Sequence, residues 1–188
     1  MTCQLLLSPY TQNVTLHYMI PFVHLHVHSQ YSILDGQAPV KGIVDKAIAN
    51  GMRGVALTDH GNMFGIKELH DYVNKKNADV NKAIKDLKAK IEEEQSSENL
   101  NEETIASLKN ELSEQEKKLF KPIFGCEAYV AREDRHTHTD NRDYGRHLIL
   151  LAKNLKGYHN LIKIVSNAWT EGFYMHARTD KSQLEKYH

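Results

Sequence analysis

Histidine is the residue type whose number and spacing first point to chemistry. The chain contains twelve, and three of them, His24, His26 and His28, alternate with Val23, Leu25 and Val27. A further one, His60, follows Asp59 just after the apolar run from Gly54 to Thr58. Imidazoles are common ligands of divalent metals, and a group of them is costly to bury without a partner. The pattern points to metal binding, against the plainer reading of a half-polar sheet face. On a strand, side chains two apart share a face, so neighbouring histidines sit about 6.6 Å apart and His24 about 13 Å from His28. Only an adjacent pair can share an ion. Sites in α/β sheets and barrels gather at the carboxyl ends of strands, which favours His26 and His28 over His24 and places Asp35 and the Asp59-His60 pair nearby. Imidazole and carboxylate donors suit Zn²⁺, Mn²⁺ or Fe²⁺ without choosing among them.

The other candidates read more plainly. His136 and His138 also stand two apart, but the segment Arg132 to Arg146 is polar and without an apolar anchor, which predicts a mobile solvated loop. His17, His70, His159, His176 and His188 occur singly and read as surface residues. Cys126 adjoins Glu127 on the opposite face of a strand, which predicts a buried, inert thiol.

The elements that must position these groups follow from hydrophobic period. Val23 to His28 has the period of a strand. Pro39 opens a helix with Ile43, Val44, Ala47 and Ile48, stopped by Asn50-Gly51. Gly54 to Thr58 reads as a buried strand, and a second helix runs through Leu69 and Val73. This alternation predicts an α/β architecture with a mainly parallel sheet. Between 74 and 119 there is no Gly, Pro or aromatic residue, and Val80, Ile84, Leu87 and Ile91, then Ile105, Leu108, Leu112 and Leu119, form two narrow apolar seams. Two amphipathic helices folded as an antiparallel hairpin satisfy both seams. Strands are predicted at Ile123 to Val130 and His147 to Ala152, with the polar segment between them allowing an antiparallel pair. A last helix carries Leu161, Ile164, Val165 and Ala168 on one face, ending at Thr170-Glu171-Gly172.

Bulk properties narrow the function. A chain of 188 residues predicts one domain. The 24 basic and 24 acidic residues cancel, which excludes a protein that coats nucleic acid by global positive charge. Apolar residues at 40% and charged ones at 26% fit an ordinary globular chain, and runs such as Leu148 to Ala152 are far short of the roughly 20 residues of a membrane span. Cys3 and Cys126 are too few for a disulfide framework, so a reducing cytosol is expected. Leu5, Leu6 and Leu7 have no basic flank, so they do not read as a signal peptide. Residues 1–18 lack a clear period, and Met19 reads as the natural start. The chain ends at His188 inside what reads as a further helix, as a piece of a longer protein would.

Four ordered segments carry a family resemblance: Phe22 to Gly36, Ala56 to Gly65, Gly125 to Val130, and His147 to Lys153 with Gly157-Tyr158 and Glu171 to Tyr174. Together they resemble the PHP (polymerase and histidinol phosphatase) domain found at the N-terminus of bacterial DNA polymerase III alpha subunits, over 19 to about 73 and 120 to 188. The resemblance implies a distorted (β/α)₇ barrel, here cut short at its C-terminus, and up to three divalent metals. It makes 74–119 an insertion, with 19–188 a partial PHP domain. By position, His26 and His28 are the His-x-His ligands, Asp35 and His60 serve another metal, Glu127 is a carboxylate able to bridge two ions, and His147 is a further ligand. The family's remaining ligands, a Cys, an Asp and a His, would lie beyond His188.

The function implied is a metal-dependent phosphoesterase with 3′ to 5′ exonuclease (proofreading) chemistry on a primer end. In it Glu127, His26 and His28 act through the metals and Asp59 orients an imidazole. DNA, the sliding clamp, a proofreading subunit and other replicase subunits are the implied partners, in the bacterial cytoplasm. The polymerase palm carboxylates are not among the matching segments, so polymerisation is not expected of these residues themselves. Two alternatives stand: a structural or docking module stapled by metal, and a stand-alone phosphatase of histidinol-phosphate type.

Overall fold

The structure is a computed structural model that describes residues 22–97, 101–138 and 144–188. The expected extension over 1–18, the start at Met19 and His17 lie outside the described residues, as do positions 139–143 of the polar loop.

In chain order, α1 (Val40–Ala49) precedes β1 (Gly54–Leu57), and α2 (Ile66–Lys76), α3 (Ala78–Gln95) and α4 (Glu102–Lys118) lead to β2 (Lys121–Val130). Then come β3 (Arg146–Leu151), α5 (Leu155–Glu171), β4 (Phe173–Tyr174), β5 (His176–Thr179) and α6 (Lys181–Tyr187). The predicted helices and the buried strand before Asp59 fall where the periodicity puts them. Pro39, fixed at φ −66°, is already in a conformation suited to opening α1, and Asn154 and Asp180 cap α5 and α6 by accepting from Gly157 N–H and Gln183 N–H.

The sheet is mixed. β1 runs parallel to the first half of β2, from Gly54 opposite Lys121 to Leu57 opposite Phe124. The second half of β2 pairs antiparallel with β3, Glu127 standing opposite Ile149 and Tyr129 opposite His147, and its end also meets β5 in parallel. The antiparallel β2–β3 pair agrees with the sequence expectation. β1 is buried throughout because α1 and α2 cover it, their Val40, Val44, Leu69 and Val73 closing over Val55 and Leu57. Each such aliphatic side chain contributes about 1.5–3 kcal/mol on burial.

Residues 23–28 depart from the sequence expectation, since they form no regular strand. They run beside β1, but Ala56 N–H donates to His24 O and Thr58 N–H to Val27 O, both at 2.9 Å. Three residues of one segment thus face two of the other, which is the count of a β-bulge. The Thr58 hydroxyl takes the place of a backbone partner, accepting from Val27 N–H at 2.9 Å.

α3 and α4 are long and lie against one another, with Ile84, Leu87, Ile91 and Ile105 buried. Asn77, before α3, donates to Phe120 O at 2.8 Å and accepts from Phe120 N–H at 3.1 Å, so the start of α3 and the end of α4 are pinned together. The Arg53 guanidinium adds a bond to Lys117 O.

The solvated loop expected over Arg132 to Arg146 is corrected at its near end. Arg135 is buried and its guanidinium reaches Asp180 at 2.8 Å and Glu171 at 2.6 Å. An ionic anchor replaces the apolar one the sequence lacks.

Candidate metal centre

Five segments deliver the six donors. The bulged segment beside β1 carries both His26 and His28, whose Nε2 atoms lie 3.0 Å apart. Asp35 comes from the turn that follows, closed by Asp35 N–H and Gly36 N–H donating to Ser32 O at 3.0 and 2.8 Å. His60 lies just past β1, where the parallel pairing resumes as a bridge between His60 and Glu127. β2 supplies Glu127, and β3, being antiparallel, begins beside it and brings His147.

All six candidates meet. Glu127 Oε2 lies 2.7 Å from His26 Nε2, 2.5 Å from His28 Nε2 and 3.6 Å from His60 Nδ1, while its Oε1 contacts His147 Nδ1. Asp35 Oδ2 contacts His28 Nδ1 and lies 3.1 Å from His60 Nε2. The ligand atoms fall into three overlapping groups, His26–His28–Glu127, His28–Asp35–His60 and His60–Glu127–His147, within 4.8 Å in each. His24 stays apart, its ring against Phe22. The Glu127 side chain is 3% exposed, whereas those of His26 and His147 are 52% and 54% exposed, so the floor is enclosed and the rim is open.

The electrostatics suit a cation. Burial acts to raise the Glu127 carboxyl, but hydrogen bonds from His26 and His28 and the charges of His60 and His147 hold it below the ordinary carboxylate value. The hydrogen bond from His28 lowers Asp35 likewise. His26 and His28 both offer Nε2 to one carboxylate oxygen, and those two nitrogens lie 3.0 Å apart. Ring nitrogens and carboxylate oxygens converging on one space are an arrangement a divalent ion can satisfy, and mixed imidazole and carboxylate donors fit Zn²⁺, Mn²⁺ or Fe²⁺.

Asp59 corrects the sequence expectation, because it contacts no imidazole. Its buried carboxylate accepts from Ser29 N–H at 2.6 Å, Ser29 Oγ at 2.9 Å and Ser32 Oγ at 2.7 Å. Ser32 Oγ in turn accepts from His60 N–H at 3.1 Å. With those donors occupying it, Asp59 holds the turn that carries Asp35 instead of a ring.

His176 also departs from its surface reading. It is half-buried, its ring stacked on Tyr129 at 4.3 Å, and burial together with the charges of His147 and His60 lowers its pKa. Tyr129 and His176 are the neighbours that sequence reasoning missed. Tyr129 had a signal, standing two residues from Glu127 on the same strand face. His176 had none, because its place depends on the pairing of β5. Cys126 is as expected: its buried Sγ lies 3.5 Å from Asp59 O, and burial, then the Asp59 charge, pushes the thiol up to about 12.

The chain is 40% identical over 169 residues to the DNA polymerase III subunit alpha of Borreliella burgdorferi, 38% identical over 169 to that of Treponema pallidum, and 35% identical over 173 to that of Aquifex aeolicus. Each alignment covers 88% of this chain and 11% of the relative, so the chain spans about a tenth of the length of these polymerases. Residues 24–188 match the PHP domain, from the bulged histidine segment to the end of α6, and the chain belongs to the PHP domain family.

Proposed function

We propose that the six donors hold divalent cations, Zn²⁺ or Mn²⁺ with Fe²⁺ also compatible, and that the chain is a metal-dependent phosphoesterase module of a replicative DNA polymerase III alpha subunit. In this reading residues 19–188 are part of a distorted (β/α)₇ barrel with up to three ions when complete, and 74–119 is an inserted helical hairpin. The observation that carries it is the meeting of His26, His28, Asp35, His60, Glu127 and His147 in overlapping groups with ligand atoms within 4.8 Å.

When bound, the cations would supply Lewis acidity toward a phosphoryl group and an acidified water. The protein's part is positional. Glu127 presents Oε2 to His26 and His28 and Oε1 to His147, so one carboxylate can serve two neighbouring positions. The exposed rings of His26 and His147 leave the rim open to a phosphodiester, while the buried Asp59 network keeps the floor fixed. The substrate is the 3′ end of a primer strand, and the reaction is 3′ to 5′ exonucleolytic proofreading within a DNA-synthesising enzyme that works with a clamp and other replicase subunits in the bacterial cytoplasm.

The test is release of a 3′-mismatched nucleotide with Mn²⁺ or Zn²⁺ present, alongside metal content by mass spectrometry. His26→Ala and Glu127→Ala should each lower the rate by about a hundredfold or more and deplete bound metal. Unchanged rates in both variants would end the nuclease reading. A second reading has its own observation: contacts within the cluster join residues as far as 101 apart, His26 to Glu127, so an ion could staple the fold without catalysis. That version predicts that chelation lowers the melting temperature while no metal-dependent cleavage exists to be lost.

A further inference from the structure

Tyr129 occupies the centre of an aromatic group on the wall of the cluster. Its ring lies parallel to His60 at 5.9 Å and to His176 at 4.3 Å, and edge-on to His147 at 4.9 Å. Glycine backbone adjoins it at two points. Gly61 and Gly145 have φ of +60° and +83°, and a Cβ on them would stand 3.4 Å from Tyr129 Cε2 and 2.9 Å from Tyr129 Cβ respectively.

The phenol meets one donor of the cluster. Tyr129 Oη lies 3.2 Å from His60 Nδ1, and the other nitrogen of that ring, Nε2, lies 3.1 Å from Asp35 Oδ2. His60 belongs to two of the ligand groups, one with His28 and Asp35 and one with Glu127 and His147. A neutral imidazole carries one proton and one lone pair, so it can serve only one of them. The Glu127 oxygen nearest Nδ1 is 3.6 Å away, beyond hydrogen-bond distance. That leaves the Tyr129 oxygen as the group placed to accept a proton from Nδ1.

We propose that Tyr129 is a positioning residue that commits His60 to coordinate through Nε2, in the His28–Asp35 group, and withholds its Nδ1 from the Glu127–His147 group. The proposal rests on the reading of the cluster as a metal centre. Without a cation, Nε2–H donates to Asp35 and the phenol O–H donates to Nδ1. With Nε2 committed to a cation, the ring proton resides on Nδ1 and the phenol oxygen accepts it. A hydroxyl can play both parts, so the ring changes tautomer without leaving a polar atom unpaired. Phenylalanine would keep the stacking on His176 and His147 and lose both parts.

Two measurements on the full-length protein test this. Long-range ¹H–¹⁵N correlation of the His60 ring reads its tautomer in the wild type, and Zn²⁺ titration compares the wild type with Tyr129→Phe, whose fold is checked by circular dichroism. Expected are Nε2–H without metal, Nδ1–H with Zn²⁺, and in Tyr129→Phe one class of Zn²⁺ site weakened by about 10–100-fold with the rest unchanged. Zn²⁺ ligation through Nδ1 in the wild type, or a folded Tyr129→Phe with wild-type stoichiometry and affinity, overturns the proposal and leaves the metal reading standing. A wild type that takes up no Zn²⁺ overturns both. Zn²⁺ uptake with the expected tautomer and no cleavage overturns only the nuclease reading.

Discussion

The three hydrogen bonds that Ser29 and Ser32 give to Asp59 put a buried carboxylate beneath the histidines without touching them. Replacing it with alanine removes the acceptor of one backbone N–H and of two hydroxyl protons, at about 1–3 kcal/mol for each donor left truly buried. Asp59→Ala should therefore lose about 3 kcal/mol or more in urea unfolding, and bind Zn²⁺ more weakly because the Asp35 turn loosens. Wild-type stability in that variant would show that water replaces the carboxylate. Cys126 tests the same buried layer from its other side. With its thiol pushed up to about 12, it should react with a thiol reagent only as fast as the protein opens, and a rapid reaction in native buffer would contradict the burial.

At the scale of elements, the bulged segment beside β1 carries both His26 and His28, and Thr58 Oγ1 is the atom that completes the bulge. Thr58→Val removes the acceptor of Val27 N–H and should cost about 1–3 kcal/mol, with weakened Zn²⁺ binding, whereas Thr58→Ser should retain both. Equal metal affinity in all three proteins would mean that the histidines converge without it. The alternating Val-His-Leu-His-Val-His motif revealed an extended segment and its paired histidines, but a bulge cannot be read there, because its completing hydroxyl lies more than thirty residues downstream. Helix positions were legible because apolar period and stop residues are local. The Asn77–Phe120 bonds, which pin α3 to α4, were not, since nothing near Asn77 announces its partner.

For the whole molecule, acid should act through Asp180. Burial acts to raise its pKa, but hydrogen bonds from Ser182, Gln183 and Arg135 outweigh this and hold it far below its ordinary 3.8. A depressed carboxylate contributes stability that is present above the unfolded value and is lost as pH falls through 3.8 toward the folded one. The melting temperature should drop below about pH 4, and Asp180→Asn should flatten that part of the curve while lowering the value at neutral pH. A parallel acid limb in the variant would assign it to other carboxylates. This anchor was illegible in the sequence because Arg135 lies in a polar stretch whose partners come much later in the chain, Glu171 at the end of α5 and Asp180 at the start of α6. The six clustered donors were legible, four from residue type and strand-end position, and Glu127 and His147 through the family resemblance.

The spacing of those donors along the polypeptide carries a kinetic consequence. Contacts between His26 or His28 and Glu127 close loops of about a hundred residues, among the slowest and entropically dearest closures such a chain can make. A fluorescent zinc chelator present during refolding would then keep its ion until those distant ends have docked, and surrender of the ion would time the last stage of assembly.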